Sequence, residues 1–284
     1  MLLVRRGILP NIACCFLLYQ CLVILLCRGM EYFFGIETGL LLAAALGIGF
    51  VAGIIKGVVG FAMPMVMISG LGSITSAEVA IAGVILPTVV ANSWQALRQG
   101  PQAAWHSTLR FRHFLLAGLL VLLISAQFVR LVPGQMLILF IGLSVSFFVV
   151  LQIMGMQLRL PAGSEQRTQV IFGTIAGFFG GLASIWGPPT VAMLTAMNTE
   201  KAEQMRVQGV IYALGSGALV LAHLGSGVLR SETLPLTLVL IPPAVLGMAI
   251  GFRIQDRFDQ ASFRKATLAV LLFGGLNLVR RGLM

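Results

Sequence analysis

A stretch of backbone that cannot stay helical occurs twice in this chain, 124 residues apart and both times inside apolar sequence. A shift of 124 positions superposes Gly49, Ala52, Gly53, Gly57 and Pro64 on Gly173, Ala176, Gly177, Gly181 and Pro188. Gly60 falls on Ser184 at the same shift. Each copy, residues 47–66 and 171–190, reads as an apolar helix with a stripe of small residues that ends at a Gly/Pro break. Proline removes a donor and disfavours helix in the residue before it, and glycine permits unusual backbone angles. Interrupted backbone at membrane depth is tolerated only beside protein or a water-filled cavity. A paired, broken hydrophobic helix therefore points to a binding site where two repeats meet.

The solvent for such a fold is lipid. The 284 residues are 58% hydrophobic and 10% charged, against roughly 25% charged in soluble domains. Apolar spans read at 38–57, 60–73, 77–97, 112–130 and 135–155, then at 168–182, 185–197, 204–224, 234–252 and 264–282. The expected fold is all-α: a polytopic transmembrane bundle with repeat 1 at 37–157, repeat 2 at 168–284 and an anchor or extra helix at 1–36. In residues 1–28, Arg5 and Arg6 precede an apolar run without a clean cleavage site, so an uncleaved anchor is expected, with a start at Met30 as the alternative.

The net charge of +10 is spread over short breaks between apolar runs. That pattern suits loops against lipid headgroups and excludes a nucleic-acid patch. The breaks at 98–113 and 253–265 are rich in Lys and Arg and are expected in the cytoplasm, although Arg280 and Arg281 then fall outside. Both rich breaks share a side if the short spans 60–73 and 185–197 count as crossings, five per repeat. The repeats are then inverted. If the short spans are re-entrant, four crossings per repeat make them parallel. Inversion is the expectation.

Lys56 lies just before the first break, with Gly180 at its counterpart. A lysine in an apolar span is a functional candidate, unless it sits at the membrane edge and snorkels to headgroups. Asn92, Trp94 and Gln95 form a polar-aromatic cluster near Arg98; anchoring and hydrogen bonding to an oxyanion are both open. Gln208 and Tyr212 are looser counterparts in the second half. Glu78 and Glu203 stand near the starts of their spans, as structural residues or proton carriers. New helices starting near Pro64 and Pro188 would offer free amides to an anion. The candidate substrate-binding set is Lys56, Gly57, Gly60, Phe61, Pro64, Asn92, Gln95, Gly181, Ser184, Trp186, Pro188 and Gln208.

Enzymatic chemistry has no visible constellation. There is no His-Glu-x-x-His, His106 and His113 read as loop residues, and His223 stands alone. Cys14, Cys15, Cys21 and Cys27 crowd one apolar run without a further ligand. Neither a metal nor a cofactor is expected. The expected partners are a small anion and membrane lipid, not nucleic acid, and a homodimer is left open.

The segments Ala52-Gly53-Ile54-Ile55-Lys56-Gly57-Val58-Val59-Gly60-Phe61-Ala62-Met63-Pro64 and Ala176-Gly177-Phe178-Phe179-Gly180-Gly181-Leu182-Ala183-Ser184-Ile185-Trp186-Gly187-Pro188-Pro189 resemble the paired Gly-rich motifs of the TauE/SafE family of sulfite and organosulfonate exporters. The likeness covers about residues 38–282. Phe61-Ala62-Met63 departs from the Gly run of many members, and residues 1–30 have no counterpart. The resemblance implies a multi-pass inner-membrane permease for small sulfur-containing anions. A channel or carrier for another small organic anion, or a membrane accessory subunit, remains the alternative.

Overall fold

The computed structural model describes residues 39–125, 134–154, 164–183, 186–226 and 234–283. The expected anchor with its four cysteines, and Ser184, lie outside the described residues. All regular structure among the described residues is helical. The first half holds α1 (Gly39–Val59), α2 (Met63–Leu71), α3 (Ala77–Leu97), α4 (Pro101–Arg110), α5 (Arg112–Ser125) and α6 (Gly134–Ile153). The second holds α7 (Glu165–Ala183), α8 (Gly187–Ala196), α9 (Lys201–Ser226), α10 (Leu234–Arg257) and α11 (Gln260–Leu283).

Four of these helices are long and apolar enough to cross a membrane, and α4 with α5 makes a bent pair of 71° that qualifies as a fifth. The surface agrees with a lipid surround. Leu116, Leu120, Phe140, Phe147 and Phe273 are exposed, where a water-soluble protein would not carry so much bare apolar area.

Local sequence explains where the elements stop. α1 ends because Gly60 and Ala62 both take left-handed backbone, φ 87° and 73°, and Pro64 stands in the first turn of α2. Ser76 caps α3, its hydroxyl accepting from the Val79 amide at 3.4 Å. Gly100, at φ 95°, turns the chain into α4, which opens on Pro101. α4 is an amphipathic helix in what reads from sequence as a loop. His106 lies on it and His113 lies on α5, which corrects the loop assignment of both. Pro87 inside α3 has no N–H for the Gly83 carbonyl. The Thr237 hydroxyl of α10 donates to that carbonyl at 3.3 Å, and accepts from the Leu86 amide at 3.2 Å.

Helix directions follow from which residues touch. Gly49 meets Leu240 and Pro243, Gly53 meets Ala244, and Gly57 meets Met248 and Gly251, so α1 and α10 run parallel. Gly173 against Phe114, and Gly177 against Gly118, make α5 and α7 parallel as well. Trp94 stacks edge-on against Phe252, and Arg98 reaches Asp256, so α3 also runs with α10. Gly209 against Ala96, with Asn92 bonded to Ser216, makes α3 and α9 antiparallel. Gly275 against Gly142, and Gly282 against Leu139, does the same for α6 and α11. Gly70 lies against Ile48, so α2 returns along α1.

Side-chain size decides the closest of these contacts. A Cβ at Gly57 would lie 2.5 Å from the Met248 carbonyl oxygen and 2.8 Å from the Gly251 Cα. The two backbones touch because neither helix carries a side chain there, the small-residue packing of membrane helices. Two large apolar cores result, beside a small cluster of Ala96, Ala104 and Val210. One gathers Leu42, Met63, Met67, Leu71, Leu240 and Met248 around α1, α2, α3 and α10. The other gathers Phe111, Phe114, Phe179, Leu194, Val207 and Leu271 around α5, α7, α8, α9 and α11.

Candidate functional site

The break after α1 is where polar side chains converge. The Gly60 amide donates to the Lys56 carbonyl at 2.7 Å, closing the last turn of α1. The Lys56 side chain runs beside that turn and is buried, 1% exposed. Its Nζ donates to Asn92 Oδ1 at 2.6 Å and to the Gly60 carbonyl at 3.4 Å, and sits 5.6 Å from the centre of the Tyr212 ring. The alternative of a snorkelling lysine is thereby corrected. Tyr212 lies eleven residues into α9, about 16 Å from its start at 1.5 Å per residue.

Both halves of the chain build this site. Asn92 Nδ2, from α3, donates to the Tyr212 carbonyl at 3.0 Å and to Ser216 Oγ at 3.2 Å. Ser216 in turn donates to the Tyr212 carbonyl at 2.7 Å. The Tyr212 hydroxyl donates to the Gly187 carbonyl at 3.2 Å, at the start of α8. One tyrosine thus spans from the lysine at the first break to the backbone at the second.

A second layer seals Gly60. With its side-chain amide turned to satisfy both ends, Gln208 donates to the Val59 and Gly60 carbonyls at 3.2 and 3.1 Å. Those are carbonyls that the helix break leaves without an amide. Gln95 donates to the Met205 carbonyl at 2.8 Å, and its own Oε1 is buried without a partner. No side chain fits at position 60, since a Cβ would meet Gln208, would lie 2.8 Å from Met205 Sδ and 3.0 Å from Gln95 Nε2.

The remaining sequence candidates take other places. Phe61 is buried in the apolar core with Val59 and Ala62. Pro64 and Pro188 stand in the first turns of α2 and α8. Pro188 and Pro189 together strip α8 of two of its early amides, so that helix start has few donors to offer. Gly181 lies in the last turn of α7. Trp186 is wedged between two helices: a Cβ at Gly180 or Gly215 would lie 3.0 or 2.9 Å from its indole carbons. Glu203 pairs with Arg110 at 2.7 Å. Ser216 is absent from the sequence-derived set, although the 124-residue shift carries Asn92 onto it.

The electrostatics of the site are one-sided. The ion pairs Arg98–Asp256, Arg110–Glu203 and Arg110–Glu165 lie at the end where α3 finishes and α9 begins. No carboxylate pairs with Lys56 among the described residues. Its neighbours are an amide oxygen, a carbonyl and an aromatic face. These groups accept from the ammonium without cancelling its charge, so the site carries a positive charge that a small anion can neutralise.

Compared with known protein families, residues 45–278 match the family described as Sulfite exporter TauE/SafE. The chain belongs to the TauE/SafE family. No curated protein and no solved structure matches it. TauE/SafE proteins are multi-pass helical membrane transporters, in keeping with the helices described above. The family match contains both breaks, Lys56, Asn92 and the whole of the α9 segment that faces them.

Proposed function

We propose that this protein is an inner-membrane permease for small sulfur-containing anions of the sulfite or sulfonate type. The observation that carries the reading is the Lys56 side chain, buried between the two halves with no acidic partner among the described residues. Taking an unpaired ammonium out of water costs several kcal/mol. A bound anion removes much of that cost, so the site attracts negative charge.

The two halves act as inverted repeats in this reading. α1, α2, α3, α5 and α6 stand 124 residues before segments occupied by α7, α8, α9, α10 and α11. The antiparallel pairing of α3 with α9, and of α6 with α11, supports a twofold axis in the membrane plane. A site on that axis can be exposed to either side by rocking one part against the other. The Lys- and Arg-rich end, with Arg98, Arg110, Arg206, Arg253 and Arg257, faces the cytoplasm by the positive-inside rule.

Purified protein in sealed liposomes tests the proposal. Sulfite and a small sulfonate should move down their gradients, while carboxylates of like size move more slowly. The Lys56→Gln protein should lose about tenfold or more of that flux, the loss of one charge-assisted contact. A wild-type protein that moves neither sulfur anion overturns the reading.

A further inference from the structure

Away from Lys56, a cavity of about 480 Å³ opens at the Arg/Lys-rich end, between the end of α8, the start of α9 and the turn from α10 to α11. Its lining includes Thr195, Thr199, Lys201, Gln204, Arg264 and Thr267. Thr195, Thr199, Gln204 and Thr267 are buried, so its floor is polar. The Thr267 hydroxyl is buried, with no hydrogen-bond partner.

Duplication of a scaffold does not account for this polarity. At the 124-residue shift Thr195, Lys201, Gln204, Arg264 and Thr267 correspond to Leu71, Ala77, Ala80, Phe140 and Leu143. Thr199 and Glu200 fall on Thr75 and Ser76, so the polar turn is shared by both halves while the hydrophilic positions on the flanking helices are not. Two carboxylates, Glu200 and Asp259, share the lining with Lys201 and Arg264, and the one nearest α11 is engaged locally. Asp259 accepts from the Ser262 amide at 2.7 Å, and hydrogen bonds from Ser262 hold its carboxyl below the usual carboxylate range.

One polar face of α9 runs from the chamber to the central site. Gln204, Gln208, Tyr212 and Ser216 follow each other at intervals of four, which places them on one side of the helix. All four are buried. Gln204 lines the chamber, Gln208 reaches the Gly60 carbonyl, Tyr212 covers Lys56 and Ser216 holds Asn92. The line spans about 18 Å at 1.5 Å per residue. The matching positions on α3 are Ala80, Val84, Thr88 and Asn92, polar only at their inner end.

We infer that the chamber is a second, outer binding site for the same class of small oxyanion. It is built from the hydroxyls of Thr195, Thr199 and Thr267, the Gln204 amide and the Arg264 guanidinium. The α9 face passes the anion between the chamber and Lys56. The inference rests on the permease reading for its ligand class, but its site shares no residue with the central one.

Calorimetry with sodium sulfite on the full-length Lys56→Gln protein separates the two. Binding should persist in that variant, and adding Thr267→Val should weaken it about tenfold, the value of one hydrogen bond to an anion. Thr267→Val is nearly isosteric and strands no partner, so a monodisperse, folded protein is expected. Arg264→Gln, as a second variant, should weaken binding at least as much. Absence of sulfite binding in Lys56→Gln, or unchanged binding in both added variants, overturns the outer site and leaves the permease reading untouched. If the wild-type protein moves no sulfur anion in liposomes yet Lys56→Gln binds sulfite through Thr267, the permease reading falls and the outer site stands.

Discussion

Asn92 decides what Lys56 can do. Its Oδ1 takes the lysine's shortest hydrogen bond while its Nδ2 holds two groups of α9. A neutral oxygen accepts from the ammonium without cancelling its charge. Asn92→Asp keeps the shape but places a carboxylate at about the same distance, and a permanent ion pair then competes with any incoming anion. Flux in Asn92→Asp liposomes should fall about tenfold or more, a loss of about 1.4 kcal/mol in anion binding, while the thermal midpoint in detergent is kept or raised. Wild-type flux in that variant would remove Lys56 as the counter-charge. The burial of Lys56 was not legible in the sequence. Position 56 lies one turn from the end of an apolar helix, and a helix end reads as a membrane edge. Here the end is broken at Gly60 and Ala62, and Asn92 of α3 covers the ammonium.

Among the elements, the two broken segments were the most legible. Gly and Pro spacing placed short spans at 60–73 and 185–197, and α2 and α8 lie within them. α4 was invisible because its face mixes Trp105 and His106 with buried Ala104 and Ser107, too little apolar sequence to register as a span. The contact between α1 and α10 depends on missing side chains rather than on present ones. Gly57→Leu must drive four carbons into the Met248 and Gly251 backbone, and overpacking of that kind costs about 1–3 kcal/mol or more. Gly217 in α9 has open space around it, with nothing within 4 Å of an added Cβ, so Gly217→Ala should be neutral or stabilising by up to about 1 kcal/mol. Thermal midpoints in one detergent compare them directly. Equal midpoints would mean that the α1–α10 seam is slack.

For the whole molecule, the helix directions assign each loop to a side. α2 returns along α1, and α3 then runs parallel to α10, so Ser73 and Gln99 lie at opposite ends of α3. Lys201 joins Gln99, since the Gln99 amide donates to the Ala202 carbonyl at 2.8 Å. Single cysteines at these three positions, with Cys14, Cys15, Cys21 and Cys27 replaced by serine, make this measurable. An impermeant maleimide added outside spheroplasts should label Ser73→Cys, and should label Gln99→Cys and Lys201→Cys only after lysis. Labelling of Lys201→Cys from outside together with Ser73→Cys would favour four crossings per half.

The close approach of Gly53 and Gly57 to Ala244, Met248 and Gly251 also has a consequence for biogenesis. Positions 57 and 251 are 194 residues apart, so α1 reaches the bilayer long before the ribosome has made its partner. Through most of synthesis its glycine groove faces lipid or a chaperone, and a chain truncated before α10 leaves that groove permanently open. Quality-control proteases therefore have a defined target in every incomplete copy.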